Sequence, residues 1–234
     1  MLDYAAFPQQ RQALICQILQ ENGRVVCAEL AARLQVSEHT IRRDLHELSR
    51  EGFCKKVYGG AVLSLPEAGD YSERKDKNRA TKVRIAQQCA RLVKPGGTIF
   101  VDTGTTNLAM AEALPAELAL TVVTNSPEIA AVLVKKPLYD VVILGGQVQR
   151  ASGGCAMAPE SGLTGFDYAD CEFKKAVIKQ CSEIIIGLTS DKIPAVARFV
   201  VAASSDIDVL VVEENISREY RVAFQQHDIR IHTV

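Results

Sequence analysis

The stretch VSEHTIRRDLHELSREG, residues 36–52, decides how this chain is read. Ser37 stands where a helix N-cap belongs, Ile41, Leu45 and Leu48 fall on one stripe at helical spacing, and Gly52 supplies the stop after Glu51. At about 100° per residue, an inward stripe of Ile41, Leu45 and Leu48 puts His39 and Arg43 on the far side, with Thr40 and Arg42 flanking them. These donor-rich side chains gather at the N-terminal end of the helix. A recognition helix meets base edges in a major groove with that end, and an arginine fork there bridges guanine O6 and N7. The amides near Ser37, helped by the helix dipole, suit a backbone phosphate.

Outward from this stretch, the order of elements is that of a winged helix-turn-helix. Gln9 to Glu21 repeats apolar residues at helical spacing and leaves at Asn22-Gly23, Arg24-Val25-Val26 is extended, and Ala28, Leu30, Ala31 and Leu34 mark a second, short helix ending near Gln35-Val36. A short helix, a tight turn and a serine-capped helix read as helix-turn-helix. Beyond Gly52, Phe53 to Val57 is strand-like, Tyr58-Gly59-Gly60 turns, and Ala61-Val62-Leu63 returns. A basic hairpin in this place is a wing, with Lys55 and Lys56 meeting phosphates without sequence preference. The plain alternative makes Arg42, Arg43 and Arg50 a solvated face laced with weak pairs to Glu38, Asp44 and Glu47. The ordered cap, turn, stop and hairpin outweigh it.

Composition neither helps nor opposes this reading. The formal net charge is −1, so a DNA-binding surface must be a local arrangement. A 234-residue chain with 47% apolar residues has room for a small domain and a larger α/β one. No secretory signal is visible and no apolar run approaches the roughly 20 residues that span a bilayer, so a cytoplasmic protein without a membrane partner is expected. The 7 cysteines lack any Cys-x-x-Cys pair and sit in apolar surroundings, as at Cys16, Cys89 and Cys181, so reduced core thiols are expected, with no metal site and no cofactor. A metal-sensing regulator is disfavoured, because His39, His46, His227 and His232 are far apart and lack ligand spacing with a cysteine.

Ser64 to Asp70 has linker composition, and the charged run Ser72 to Lys82 leads into a helix with Ile85, Ala86, Cys89 and Val93 on its stripe, stopped at Pro95. Strands at Thr98–Val101, Leu120–Thr124 and Val141–Leu144 then alternate with helices at Asn107–Leu114 and Glu128–Lys135, which implies a parallel sheet with crossovers. A helix from Tyr168 to Ser182, strands Ile184–Leu188 and Val209–Val212, a helix from Ile216 to Gln226 and a strand Ile229–Thr233 follow. The expected division is 1–63 for the winged domain, 64–82 for a linker and lead-in, and 83–234 for the α/β domain. Ligands of such sheets bind beyond the strands' carboxyl ends. There stand Asp102-Thr103-Gly104-Thr105-Thr106, Thr124-Asn125-Ser126 and Gly145-Gly146, loops whose glycines, hydroxyls and helix N-termini suit an anion. Any one of them alone would be an ordinary capped turn, and neither a P-loop nor a Gly-x-Gly-x-x-Gly is present.

With Gly23-Arg24-Val25, Glu29-Leu30-Ala31, Val36 to Leu45 and Tyr58-Gly59-Gly60-Ala61, the N-terminal module resembles the DeoR family of repressors. The resemblance continues through Phe100 to Thr106, Leu120 to Ser126, Leu144-Gly145-Gly146, Pro159 to Thr164 and Glu172 to Ala176. It implies that Arg42 and Arg43 belong to a DNA-reading helix, and that the second half is an effector domain similar to ribose-phosphate isomerase and glucosamine-phosphate deaminase. The implied function is repression of a carbohydrate-metabolism operon by a homo-oligomer on double-stranded operator DNA, controlled by a phosphorylated sugar. Asp102, Gly104, Thr105, Thr106, Asn125, Ser126 and Gly146 are the implied effector contacts, and Lys174 corresponds to a family lysine facing the ligand. The competing class is an isomerase or deaminase using Asp102, Glu172 and Lys174, but no histidine falls in these loops and nothing brings two of the three to one substrate carbon.

One region departs from the family. Between Gly146 and Pro159 the chain passes from Ser152-Gly153-Gly154 straight into Cys155-Ala156-Met157-Ala158, where the resemblance implies a further helix and strand. Ala156 replaces the glycine of a Gly-Ile pair, and Thr189 stands where the family has an aspartate, with Lys192 matching the lysine that follows. Two readings stand: the loss impairs effector binding while leaving DNA binding intact, or a segment of the natural chain is not represented in this sequence.

Overall fold

A computed structural model describes residues 7–22, 24–63, 71–148 and 154–234; the expected linker at 64–70, the residues 149–153 and the side chains of Lys55 and Val62 lie outside the described set. The first unit comprises α1 (Pro8–Asn22), β1 (Arg24–Val26), α2 (Cys27–Leu34), α3 (Glu38–Arg50), β2 (Cys54–Val57) and β3 (Gly60–Leu63). Ile15, Leu19, Leu30, Leu34, Ile41, Leu45, Leu48 and Ala61 close a core of their own, so each helix is held by its apolar stripe. The strands form an antiparallel sheet in the order β1-β3-β2, which is the expected wing joined to an extra strand. Gly60 lies opposite Val26, and a Cβ there would run into the carbonyl oxygen of Val25, so the turn needs glycine to let β1 approach.

The second unit begins with α4 (Tyr71–Asp76) and α5 (Arg79–Leu92). It continues as β4 (Thr98–Val101), α6 (Thr105–Ala113), β5 (Leu120–Thr124), α7 (Pro127–Leu133) and β6 (Tyr139–Ile143), with the three strands parallel in the order β4-β5-β6. Next come β7 (Cys155–Ala158), β8 (Gly162–Gly165), α8 (Tyr168–Ile178), β9 (Ile185–Gly187), β10 (Phe199–Ala202), β11 (Val209–Val212), α9 (Arg218–Gln225) and β12 (Arg230–Thr233). A second parallel sheet has the order β12-β11-β9, and an antiparallel sheet has the order β10-β8-β7.

The α/β architecture is thus mixed, where sequence periodicity predicts only parallel strands. The antiparallel strands escape a pattern reading for a physical reason. Cys155-Ala156-Met157-Ala158 and Gly162-Leu163-Thr164-Gly165 carry few β-branched residues, and all of β8 is buried, so no in-out alternation marks them. Helix ends also move. α8 stops at Ile178, where Gln180 and Cys181 donate to carbonyls three residues back and tighten the chain out of the helix. α9 starts only after Ser217, whose hydroxyl accepts from the Tyr220 amide at 3.3 Å.

Candidate functional site

On α3 the Ser37 hydroxyl accepts from the Thr40 amide at 3.1 Å, and the apolar stripe turns Ser37, His39, Arg42 and Arg43 out to solvent, with Thr40 half-buried beside them. Arg42 reaches Glu38 at 2.5 Å and Arg43 reaches Glu47 at 3.4 Å, both on exposed side chains. Such exposed i,i+4 pairs are worth well under about 1 kcal/mol, so they yield readily to a base or phosphate. Lys55 and Lys56 lie on β2, and the Lys56 side chain is exposed. Asp44 is the surprise of this helix. Its carboxylate is buried and takes both Nε and a terminal nitrogen of Arg11, at 2.5 and 3.0 Å, so it clamps α1 to α3 instead of joining a solvated face.

In the second unit a cavity of about 740 Å³ opens at the carboxyl end of β4. Asp102, Gly104, Thr105, Thr106 and Lys174 line it. The other expected contacts, Asn125, Ser126 and Gly146, are not in its lining. Asn125 donates to the Asp102 carboxylate at 2.9 Å and accepts from the Thr103 amide at 2.8 Å, which fixes the β4–α6 loop. Ser126 caps α7, accepting from the Ile129 amide, and Gly146 lies exposed beyond β6. The cavity therefore gathers residues of the Asp102–Thr106 loop and Lys174, whereas Asn125 reaches it through Asp102.

At the floor of the cavity, Lys174 is buried with its ammonium 3.2 Å from Asp102 and bonded to Asp170 one turn earlier on α8. Burial works to lower the Lys174 pKa, but the facing Cys155 sulfur and the Asp102 and Asp170 carboxylates win, and it stands above the ordinary lysine value. For Asp102, burial is the larger influence and raises its pKa against the pull of Lys174, with Asp170 adding like charge. Arg74 of α4 and Lys192 also line the cavity. Lys192 has its pKa lowered by burial, against the opposing pull of Asp191. Lys82, buried and bonded to the Arg74 carbonyl, is pushed down to about 8 by burial and then by Lys192 and Arg74. Arg74 and Lys192 thus line the same cavity as the anion-compatible loop.

Sequence reasoning passed over Arg74, Asp170 and the cavity position of Lys192. The Asp170-x-x-x-Lys174 spacing was a legible signal, since residues four apart share a helix face. Arg74 carried none, because it reaches the cavity only through the packing of α4 on α6.

Residues 11–66 match the DeoR-like helix-turn-helix domain and residues 77–158 match the DeoR C terminal sensor domain. The chain is 31% identical to the HTH-type transcriptional regulator GolR of Listeria innocua, over 94% of this chain and 96% of that protein. It is 30% identical to the glycerol-3-phosphate regulon repressor of Haemophilus influenzae, over 86% of this chain and 87% of the relative. It is 27% identical to the repressor of the same name in Escherichia coli, over 87% and 90%. The first alignment runs over 243 positions yet takes in 94% of 234 residues, about 220, so about 23 positions of the Listeria protein have no counterpart here. The second runs over 223 positions against about 201 residues, and the third over 227 against about 204, which leaves about 22 and about 23.

Proposed function

The chain belongs to the DeoR family of transcriptional regulators, and from that premise we propose that it is an operator-binding repressor of a carbohydrate-metabolism operon whose second unit senses a phosphorylated sugar. The observation that carries the reading is the Ser37-capped helix, which is sealed inside by Ile41, Leu45 and Leu48 and presents His39, Arg42 and Arg43 outward. Ser37, Thr40, Lys55 and Lys56 are assigned to phosphates around it. We divide the chain as 1–63, 64–82 and 83–234; the self-contained core of the winged unit supports the first boundary. α4, inside the lead-in, already packs on α6.

We assign effector contacts to Asp102, Gly104, Thr105, Thr106 and Lys174 directly, and to Asn125, Ser126 and Gly146 through the loops they hold. Arg74 and Lys192 would face the phosphate, because two cations lining one cavity attract a dianion and the amides before α6 can donate to it. The relatives named for the glycerol-3-phosphate regulon make a small phosphorylated polyol or sugar the first ligand to try. The likeness to ribose-phosphate isomerases and deaminases is proposed as one of ligand class and not of catalysis. Lys174 is held protonated between two carboxylates, which leaves it neither a base nor a nucleophile. Among the described residues no helix is long and apolar enough to cross a membrane, and we assign the protein to the cytoplasm, with its operator.

Two or more winged units on repeated half-sites, held together by the second units, would respond when the ligand favours one arrangement over another. Sequencing DNA fragments retained by the purified chain tests the reading: one enriched, repeated motif is expected, and unenriched fragments would overturn it. Arg43→Ala is expected to lower affinity for that site by about 1–3 kcal/mol in equilibrium binding. Lys56→Ala should instead weaken all sequences alike and flatten the salt dependence by about one unit of slope. A loss confined to one sequence would contradict the wing.

A further inference from the structure

α4 is a helix of 6 residues that sits on the sensor unit without an apolar anchor. None of its residues is buried, and a helix this short does not persist on propensity alone. Polar contacts hold it instead. Tyr71 donates to Glu128 of α7 at 3.0 Å, and Lys75 meets the same carboxylate at 3.8 Å. Lys77, just past the helix, meets Asp191 at 3.9 Å, and Lys82, buried in the first turn of α5, donates to the Arg74 carbonyl. The contacts to Glu128 and Asp191 are exposed and contribute little. α4 therefore belongs to the part of the fold that opens most easily.

Arg74 is the residue of α4 that lines the effector cavity. Its guanidinium lies 5.7 Å from the centre of the Tyr71 ring, a cation-π contact that ties its direction to the residue bonded to Glu128. Arg74, Lys82 and Lys192 are gathered against their mutual repulsion. Burial, then Lys192 and Arg74, push the Lys82 pKa down to about 8, with Asp191 as the opposing carboxylate. An anion in the cavity relieves that repulsion most while α4 is docked, because releasing α4 takes Arg74 away with it. Ligand and docked helix therefore stabilise each other by the same factor.

We infer that α4 is a strap at the effector cavity, locked down when a phosphate dianion takes Arg74, with Lys82 and Glu128 as the residues that position it. Neither Lys82 nor Glu128 lines the cavity, so both act through α4. The inference rests on the sugar-phosphate reading and adds how that site reports to the rest of the chain. With α4 docked, β3 is joined to the sensor unit through residues 64–70; with α4 released, the connection runs through 64–78. Each released residue adds up to about 3.5 Å of reach. That changes how far apart two winged units can sit on repeated half-sites.

Trypsin reads the strap directly, since Lys75 lies in α4, Lys77 just after it, and residues 64–70 hold no lysine or arginine. The full chain is digested with and without inorganic phosphate or glycerol 3-phosphate, with calorimetric titration giving the occupancy and mass spectrometry the cut sites. Cleavage after Lys75 and Lys77 is expected to slow about tenfold or more at saturation, with cleavage in the winged unit unchanged. Arg74→Gln should lose this protection at matched occupancy. Glu128→Ala and Lys82→Met should each speed cleavage of the ligand-free chain about threefold or more, and Glu128→Ala should regain protection when ligand is bound. Heat of binding without any slowing overturns the strap and leaves the effector site standing. Equal slowing in Arg74→Gln overturns it too, as does cleavage of Glu128→Ala and Lys82→Met at the parent's rate. Binding of neither anion overturns the strap and the sugar-phosphate reading together.

Discussion

Asp44→Ala is expected to cost the DNA-binding unit about 3–5 kcal/mol, a large part of the roughly 5–15 kcal/mol that holds a typical domain together. The substitution leaves the Arg11 guanidinium in a core with its main counter-ion removed. Arg11 and Asp44 side chains are 4% and 3% exposed, their contact is bidentate, and Gln12 ties Asp44 and Glu47 to the same helix. Burial opposes the Arg11 charge, but the Asp44 hydrogen bond is the larger influence and holds its pKa above the ordinary value. Removing one member of such a pair is costlier than removing both. The double variant Arg11→Met, Asp44→Leu should therefore recover most of the loss in thermal denaturation followed by circular dichroism. An Asp44→Ala protein within about 1 kcal/mol of the parent would refute the clamp.

Lys174→Met should cost the sensor unit a similar amount, about 3–5 kcal/mol at neutral pH, because it leaves the half-buried Asp102 and Asp170 without their cation. In the parent, the raised Lys174 pKa means that its stabilising contribution is fully present below the ordinary lysine value of 10.5 and fades only as pH climbs past it. In the variant, the Asp102 pKa, already raised by burial, rises further. The folded state then binds more protons than the unfolded one above the ordinary carboxylate value of 3.8, so stability falls as pH rises through that window and returns in acid. Urea unfolding at acid and neutral pH would check the sign, and a loss that grows in acid would contradict the cluster. Heat of binding to a sugar phosphate should vanish in the same variant.

Much of the site was legible because local chemistry encodes it. Ser37 as cap, Arg42 and Arg43 as outward donors, and Thr98–Val101 and Leu120–Thr124 as strands follow from spacing within a few residues. The role of Asp44 was not legible. A charged residue four positions from charged neighbours looks solvated, and only the packing of α1, 33 residues away in sequence, reveals that it is buried. The antiparallel sheet was hidden for the converse reason, since small residues buried on both faces leave no periodic trace.

By itself, the sequence determined the winged helix-turn-helix and the alternation of strands and helices, because caps, turns and hydrophobic periods act over one or two turns of chain. The tertiary structure alone decided which charges are buried together, as with Arg11 and Asp44 or Lys174 and its two carboxylates. It also brought the Asp102–Thr106 loop, Lys174, Arg74 and Lys192 around one cavity. Burial and strand pairing are relations between distant segments, and their energies exist only once the chain has closed on itself.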